Sequence, residues 1–476
     1  MVAFFFYLQV NALISFVNII EATLLAFFSK TANKPIVVAY SGGVDSQVLL
    51  AALYQLKQQK KLTNTIAVCH VNHGLSKHAS SWQEFAAKQC QQFSFPLITH
   101  QLSLKKQPQQ SLEAMARDAR YQCLVESSKE PALIVTGHHL DDQAETFFLS
   151  LKRGAGLKGL SAMSEQIQLA QHTLVRPLLA VSRAEIVHYA QQQNLTWIED
   201  ESNHDQVFDR NFLRHTVMPK LSARWPSFND TLSRSVGHCQ DAQSLLDELA
   251  EEDLVKVSIT NKVLSIAELL NLSTLRFNNV IRYFLAKHDK LMPSSAQLQQ
   301  IEQQMRASND KNPAIKINDY SFRRYQQQLH LTDNFVEIKQ WQHQVLLTKA
   351  TDNITLPDNL GQLHITLLAN NTELVTPQVT DEALMTNISI QAPKEGQQVS
   401  IRFSHNNPTC LPDYRNKSRA LKKILQEAKI PTWQRQRIPF LYYDETLVAA
   451  LGLFICKSHL PQQDSSKLQL IWLDNK

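Results

Sequence analysis

The first 216 residues alternate short apolar runs with amphipathic stretches. The apolar runs predict strands over 36–40, 65–71, 97–102, 133–136 and 195–198. The stretches between them predict helices over 47–56, 81–93, 112–127, 144–151 and 183–192. Strands that alternate with helices of this length are typical of βαβ units and a parallel sheet. Ligands of such sheets bind outside the carboxyl ends of the strands.

A different pattern begins after Asn211. Helical patterns run over 242–254, 275–287 and 296–305, and strand-like pieces follow at 314–317, 321–325 and 329–332. Residues 341–390 are polar with weak strand signals, such as 364–368, so we expect a connecting region. The last part predicts a strand at 399–403, a basic helix at 417–428 and paired strands near 439–443 and 446–451.

These patterns predict an α/β chain in several parts. A Rossmann-like parallel-sheet domain covers 34–216, and a mainly helical domain covers 217–340. The connecting region 341–390 and a small α+β domain over 391–476 complete the chain. At about 150 residues per domain, a length of 476 residues corresponds to about three domains.

The N-terminal extension, 1–33, is mostly apolar. Its first cation is Lys30, whereas a signal peptide carries cations before its apolar core. Four polar residues, including Glu21, interrupt the run of about 20 apolar residues that a membrane span needs. We expect a helix that packs on the first strand. Membrane association and an over-long gene start are the alternatives.

The composition is that of an ordinary globular protein. Hydrophobic residues make up 43% and charged residues 19%, which excludes a wholly disordered chain, a collagen and a coiled-coil rod. The net charge is +5, so any nucleic-acid surface must be a local patch. Six scattered cysteines form no CxxC pair, which leaves zinc-finger, thioredoxin-like and local iron–sulfur motifs without support. We expect a cytoplasmic protein without a membrane partner.

A glycine-rich turn joins the first predicted strand to the first predicted helix. It consists of Ser41, Gly42, Gly43, Val44, Asp45 and Ser46. Backbone N–H groups and the positive helix end of such a turn bind an anion. The lysine of a Walker A loop and the GxGxxG spacing are both absent. Because Asp45 would repel phosphate, we predict that Mg²⁺ bridges the two.

Polar side chains also follow the second strand and occupy one helix. His70 and His73 are expected to line a nucleotide pocket; a zinc site is disfavoured because no cysteine accompanies them. Arg117 and Arg120 share a helix face, where guanidinium groups suit phosphate. A solvated, ion-paired helix face is the alternative.

The segment after the fourth strand is rich in acids. His138, either Asp141 or Asp142, and Glu145 fall on one helical face, where carboxylates can hold Mg²⁺ or orient an amine. A helix N-terminus that favours acids is the alternative. Further along, Arg153 lies in a glycine-rich cationic loop, and Arg176 precedes Pro177. Mobile cations near a triphosphate can neutralise developing charge.

Taken in order, the motifs resemble those of bacterial tRNA(Ile)-lysidine synthetases of the PP-loop ATP pyrophosphatase superfamily. The motifs are SGGxDS, HVNHGL, ExxARxxRY, GHHxDDQxET, RGxGxxGL, RPLL, EDxSN and RNxLR. FRRY at 322–325 and LKKILQE at 421–427 extend the resemblance to the middle and C-terminal domains. It implies that ATP adenylates the 2-carbonyl of the wobble cytidine in the CAU-anticodon tRNA(Ile), and that L-lysine then displaces AMP. The expected result is a change of codon specificity from AUG to AUA and of identity from Met to Ile.

The resemblance also implies roles for these residues. Residues 41–46 would bind ATP with Mg²⁺ at Asp45, and the catalytic set would be Asp45, Arg117, Asp141, Asp142 and Glu145. Nucleotide or tRNA contacts are expected from His70, His73, Arg120, His138, Arg153 and Arg176, and from Arg419, Lys422 and Lys423 on the basic helix. Which carboxylate receives the lysine amine stays open, as does a homodimer. A tRNA thiolase on the same loop is the alternative function, disfavoured by the lack of CxxC.

Overall fold

The computed structural model describes residues 19–31, 33–72, 74, 78–102, 112–306, 314–347, 351–368, 384–462 and 465–474. The chain divides into two compact units, residues 1–249 and 250–476. Among the described residues, no helix is both long and apolar enough to cross a membrane.

The first unit alternates strands and helices. Its elements are α1 Ile19–Phe28, β1 Ile36–Ala39, α2 Val44–Gln58, β2 Ile66–Asn72, α3 Ala79–Gln92, β3 Leu97–Gln101, α4 Leu112–Glu126, β4 Leu133–Val135, α5 Leu140–Lys152, α6 Leu157–Leu160, β5 Gln166–Leu169, β6 His172–Val175, α7 Arg183–Gln192, α8 Asp209–Phe212, α9 Met218–Arg224 and α10 Phe228–Val257. A π-helical turn, Leu213–Val217, joins α8 to α9. The long helix α10 contains the boundary between the units.

The sheet of the first unit has the strand order β3-β2-β1-β4-β6-β5. All neighbouring pairs are parallel except β5 with β6. Val38 of β1 belongs to the core on one face, and Val37 belongs to the core on the other, as expected for a parallel sheet covered on both sides. The strand order reverses between β1 and β4, which is where open α/β sheets bind ligands. The predicted parallel-sheet fold is therefore confirmed.

One predicted strand of this sheet is wrong. Residues 195–198 form no strand; instead the Ile198 N–H donates to the Gly42 carbonyl at 2.9 Å. The sheet is extended by β6, whose neighbour β5 forms an antiparallel hairpin with it. The apolar run at 195–198 reflects burial against the glycine-rich turn, since the side chain of Ile198 approaches Gly42.

The N-terminal extension is helical where the structure describes it. In α1, Ile20, Leu24, Phe27 and Phe28 join the main core. The helix packs on α2 and α7, and it shares the main core with Ile36 and Val38 of the first strand. Glu21 is buried and accepts hydrogen bonds from Tyr189 Oη at 3.0 Å and Gln59 Nε2 at 3.1 Å. The remainder of the extension, 1–18, lies outside the described residues.

The described part of the second unit contains three larger sheets, one two-stranded sheet and several helices. Its elements are β7 Ser258–Thr260, β8 Val263–Ser265, α11 Ile266–Asn271, α12 Thr274–Lys287, α13 Ser295–Arg306, β9 Ala314–Ile317, β10 Tyr320–Tyr325, β11 Gln328–Asp333, β12 Gln342–Val345, β13 Thr351–Thr355, β14 Gln362–Leu368, β15 Leu384–Gln391, β16 Val399–Arg402, β17 Thr409–Cys410, β18 Arg419–Ala420, α14 Leu421–Glu427, α15 Thr432–Arg435, β19 Phe440–Tyr443, β20 Thr446–Ala450, β21 Phe454–Ile455 and β22 Lys467–Asp474. The strand orders are β7-β8-β11-β10-β9, β12-β16-β19-β20-β21, β13-β14-β22-β15 and β17-β18.

Two expectations for this unit differ from the structure. Residues 341–390, expected to connect domains, contribute β12–β15, which pair with the C-terminal strands β16 and β22. Few residues of these strands are buried, among them Val345 in β12, Ile354 in β13 and Leu363 and Ile365 in β14, so the polar residues between them weakened the strand signal in the sequence. The basic helix begins at Leu421 rather than Lys417, because Arg419 and Ala420 pair with β17.

Candidate active site

The glycine-rich turn lies between β1 and α2, at the carboxyl edge of the sheet. Gly42 has a φ of +86°, in the region that favours glycine, and a Cβ there would lie 2.7 Å from Ile198 Cδ1. The Ser46 hydroxyl accepts from the Gly42 N–H at 3.1 Å and donates to the Gly43 carbonyl at 3.0 Å. Gly43 has no side chain to cap α2, so the first N–H groups of that helix are left for an anion.

The turn that follows β4 packs directly on this helix end. A Cβ on Gly137 would lie 3.0 Å from the carbonyl carbon and oxygen of Asp45, and 3.2 Å from Ser46 N. These neighbours are backbone atoms and cannot rotate away. A larger residue would therefore push the two segments apart by a few tenths of an ångström, so glycine favours this approach, which brings the start of α5 next to the glycine-rich turn.

His139 is fully buried among three carboxylates. Its Nε2 lies 3.4 Å from Asp142 Oδ2 and 3.6 Å from Asp45 Oδ1, and its Nδ1 lies 3.7 Å from Asp141 Oδ2. These distances exceed the usual limit of about 3.2 Å for an N–H···O bond, and neither ring nitrogen has a hydrogen-bond partner among the described residues. Burial opposes charge on the ring, but the three carboxylates outweigh it and raise the pKa of His139 above its ordinary value.

Asp45 and Asp141 are the more accessible carboxylates of this group. Burial raises the pKa of Asp45, although His139 and the Arg183 guanidinium, with Nη1 3.3 Å from both carboxylate oxygens, oppose the rise. Asp141 accepts the Arg183 backbone N–H at 2.8 Å and Asn229 Nδ2 at 3.1 Å. Burial opposes the charge of Asp141 too, but His139 and that backbone N–H lower its pKa.

Asp142 and Glu145 are instead held by two arginines. Glu145 accepts Arg210 Nε and Arg214 Nε, each at 2.6 Å, and Arg214 Nη2 at 2.9 Å. Asp142 Oδ1 accepts Arg210 Nη2 at 3.0 Å and Arg214 Nη2 at 3.1 Å, while its Oδ2 accepts the His139 backbone N–H at 3.1 Å. Burial raises the pKa of Asp142, but His139 and Arg210 outweigh it, so that the pKa lies below its ordinary value. We call this set of four side chains the arginine clamp.

The pKa of His138 is shifted in the opposite direction to that of His139. Its Nδ1 lies 2.8 Å from Thr136 Oγ1. Burial lowers its pKa to about 4, and Asp142 only partly offsets this effect. His138 is therefore neutral at pH 7, whereas the carboxylates favour a proton on His139.

The predicted arginines 117, 120 and 176 surround one tyrosine. The guanidinium carbons of Arg117 and Arg120 lie 5.7 and 5.8 Å from the Tyr121 ring centre, within the range of a cation–π contact. Arg176 is buried and its Nη1 donates to the Ser164 carbonyl at 2.6 Å, but its Nε has no partner among the described residues. Burial lowers the pKa of Arg176.

The other predicted contacts are dispersed. His70 is buried, with Nδ1 3.0 Å from the Tyr40 carbonyl oxygen, and burial lowers its pKa. His73 lies outside the described residues, so the structure does not place it. Arg153 is exposed on the loop after α5. Within the described ranges, no group of three or more His, Cys, Asp or Glu side chains is arranged to hold a metal ion.

The three predicted C-terminal cations belong to the second unit. Lys422 and Lys423 are exposed on α14, whereas Arg419 lies in β18 and not on the helix. Arg419 and Arg415 both pair with Glu427. The expectation that Arg419 lies on the basic helix with the two lysines is therefore wrong.

Four residues of the site were missed by the sequence reasoning: His139, Arg183, Arg210 and Arg214. Arg210 and Arg214 belong to the RNxLR motif, and His139 belongs to the GHHxDD motif. The sequence analysis therefore included these residues in its motifs but assigned them no role. Arg183 carries no comparable signal, because its contact with Asp45 joins residues 138 positions apart.

Three domain families match this chain. A PP-loop domain matches residues 17–221, the TilS substrate binding domain matches 264–330, and the TilS substrate C-terminal domain matches 399–472. The PP-loop match identifies the first unit as ATP-binding. Among solved structures, the U34-tRNA thiolase NcsA from Methanococcus maripaludis covers 47% of this chain and 79% of its own, with a TM-score of 0.40 and 15% identity. A similarity this low carries no argument about function.

Curated relatives match nearly the whole chain. The tRNA(Ile)-lysidine synthase of Pectobacterium atrosepticum is 39% identical over 442 residues, which cover 92% of this chain and 95% of the relative. The tRNA(Ile)-lysidine synthase of Coxiella burnetii is 36% identical over 441 residues, with 91% and 92% covered. With this identity over about nine-tenths of both sequences, the chain belongs to the tRNA(Ile)-lysidine synthase family.

Proposed function

We propose that this chain uses ATP to join L-lysine to the wobble cytidine of the CAU-anticodon tRNA(Ile). The observation that carries the proposal is the convergence of Asp45, Asp141 and Asp142 on His139, beside the glycine-rich turn. The turn offers N–H groups to the ATP phosphates, while the carboxylates suit a cationic amine. Adenylation of the 2-carbonyl oxygen releases pyrophosphate, and attack by the lysine ε-nitrogen then releases AMP.

Asp45 fits a Mg²⁺ ion shared with the ATP phosphates. Its carboxylate is 30% exposed, and burial raises its pKa even though Arg183 lies nearby. A carboxylate in this condition lacks full charge compensation, which a divalent cation supplies. When bound, Mg²⁺ would neutralise charge that develops on the phosphates. Arg183 would then be free to contact a phosphate oxygen.

The carboxylates near His139 are candidates to bind the lysine ε-amine and to take its proton. With a reference pKa of about 10.4, roughly 0.04% of the amine is neutral at pH 7, which corresponds to a handicap of about 4.6 kcal/mol. Asp141 is 33% exposed, so an ammonium can reach a remaining lone pair of its carboxylate as the site stands. Asp142 and Glu145 can do so only when Arg210 or Arg214 withdraws, because the guanidinium groups occupy their oxygens. The Michaelis constant for lysine in Asp141→Asn and Glu145→Gln variants distinguishes these two arrangements.

The decisive experiment is mass spectrometry of the wobble nucleoside after incubation of CAU tRNA with enzyme, ATP and lysine. We expect a nucleoside that carries lysine, together with tRNA-dependent ATP–pyrophosphate exchange. Sulfur in place of oxygen would instead indicate the thiolase alternative. Omission of lysine should leave exchange intact and abolish the product. We further propose that the protein acts in the cytoplasm, where its tRNA and ATP are found, and sedimentation of the purified enzyme tests the homodimer.

A further inference from the structure

A cavity in the C-terminal part of the second unit has no role in the chemistry described above. Its volume is about 370 Å³, within the range of small-ligand pockets. The buried side chains of Ile424, Leu425 and Phe454 form its apolar wall. The partly exposed Leu453 also lines it, and the lining is completed by Tyr414, Arg415, Glu427 and Ala428.

Tyr414 is unusual among the aromatic residues of this unit. Its side chain is 62% exposed, and no aromatic ring packs against it in the part of the chain that the structure describes. An exposed aromatic ring beside an apolar cavity is the arrangement with which proteins stack an unpaired nucleobase. Stacking tolerates any base, because every base has a π face.

The chain segment that supplies most of the cavity lining is strongly basic, which suits a nucleic acid. Between residues 415 and 429 there are six cations and one acid, a net charge of +5. The whole chain also has a net charge of +5, so the remainder is neutral on balance. The single acid, Glu427, is paired with Arg415 and Arg419. These pairs are exposed, and exposed pairs contribute little to stability, so both guanidinium groups can turn to phosphates.

We propose that this cavity binds one unpaired nucleoside of the tRNA, stacked on Tyr414, while the surrounding cations contact the adjacent phosphates. The inference rests on the proposed function, because it takes the substrate tRNA as the ligand. Two parts of tRNA supply unpaired nucleosides: the single-stranded 3′ end and the loops. A peptide is a poorer occupant, since a segment with six cations and one acid, whose Arg415 lines the cavity, matches a polyanion.

The test is tRNA binding by the full-length protein carrying Tyr414→Ala or Tyr414→Phe. Loss of a stacked base costs about 1–3 kcal/mol, so the dissociation constant of Tyr414→Ala should rise about 5- to 150-fold. Tyr414→Phe retains the ring and should bind within about twofold of wild type. The salt slope of Tyr414→Ala should equal that of wild type, because no phosphate contact is removed. Ala428→Leu, which narrows the cavity without a charge change, should also weaken binding.

Two truncated RNAs identify the source of the nucleoside. If the 3′ end enters the cavity, tRNA trimmed of its unpaired 3′ nucleotides should bind wild type as weakly as intact tRNA binds Tyr414→Ala, and the variant should not respond to trimming. If the anticodon loop enters, an isolated anticodon stem-loop should show the Tyr414→Ala defect and trimming should have no effect; if another loop enters, intact and trimmed tRNA should show the defect and the stem-loop should not. Equal binding of all RNAs by wild type and Tyr414→Ala would overturn the proposal. Failure of wild type to bind CAU tRNA at all would overturn the proposed function as well.

Discussion

Glu145→Ala tests whether the arginine clamp holds the site together. Glu145 is 2% exposed and accepts three hydrogen bonds from Arg210 and Arg214. Removal of its carboxylate leaves two guanidinium groups with only Asp142. These arginines lie on α8 and the π-helical turn that follows it, so loss of Glu145 loosens the link between that segment and α5.

The magnitude follows from burial. Loss of one partner from a buried ion pair costs about 3–5 kcal/mol, because the other charge is left unpaired. Arg210 is 36% exposed and Arg214 is 23% exposed, so water compensates in part and we expect about 2–3 kcal/mol. At about 2–4 °C per kcal/mol for a unit of this size, the unfolding midpoint of the first unit should fall by about 4–12 °C.

The assay combines thermal unfolding with single-turnover kinetics. Product formation should slow far more than ATP binding weakens, because Glu145 orients side chains beyond the glycine-rich turn. Asp209→Ala is a matched control: its ion pair with Lys152 is also 2.6 Å long, but the side chains are 59% and 63% exposed. It should cost about 0.5 kcal/mol or less. If Glu145→Ala, like Asp209→Ala, unfolds at the wild-type temperature and forms product at the wild-type rate, the arginine clamp contributes neither to stability nor to catalysis.

Three further predictions concern other parts of the molecule. Asp45→Asn should abolish adenylation while tRNA binding stays nearly intact, and EDTA should inhibit the wild type; normal turnover in either case would contradict the Mg²⁺ assignment. Because the pKa of His138 is lowered to about 4, the unfolded chain takes up a proton there before the native chain does, so stability is present above pH about 6.5 and falls as the pH drops towards 4, by up to about 3 kcal/mol. His138→Gln should flatten that part of a urea-unfolding series, and an unchanged pH dependence would exclude the cause. Lys422→Ala combined with Lys423→Ala should raise the tRNA dissociation constant and reduce the slope of log affinity against log salt by about one to two units; an unchanged slope would indicate a merely solvated helix face.

The sequence predicts the parallel sheet well because buried strands are continuous apolar runs. The strands at 36–40, 65–71, 97–102 and 133–136 agree with β1–β4 to within about a residue or two. Residues 195–198 show the limit of that signal, since an apolar run reports burial and not pairing. The hairpin β5–β6 escaped notice because each strand is four residues long and contains polar side chains.

In the candidate site, too, features formed by residues close in sequence were predictable and contacts between distant residues were not. The glycine-rich turn and the acids of α5 are local in sequence, so their spacing indicated a common edge. The arginine clamp joins α5 to residues 65 to 72 positions away, and no spacing rule reaches that far. The sequence also could not reveal that adjacent histidines differ, because the opposite pKa shifts of His138 and His139 come from which neighbours each ring faces.

The carboxylate of Asp142 serves two structures at once. One oxygen accepts the His139 backbone N–H at the start of α5, and the other accepts both clamp arginines. The first turn of that helix and the clamp therefore share a single side-chain rotamer. Opening of the arginine clamp should expose the His139 amide proton to solvent. The hydrogen–deuterium exchange rate of that proton therefore reports how often the clamp opens.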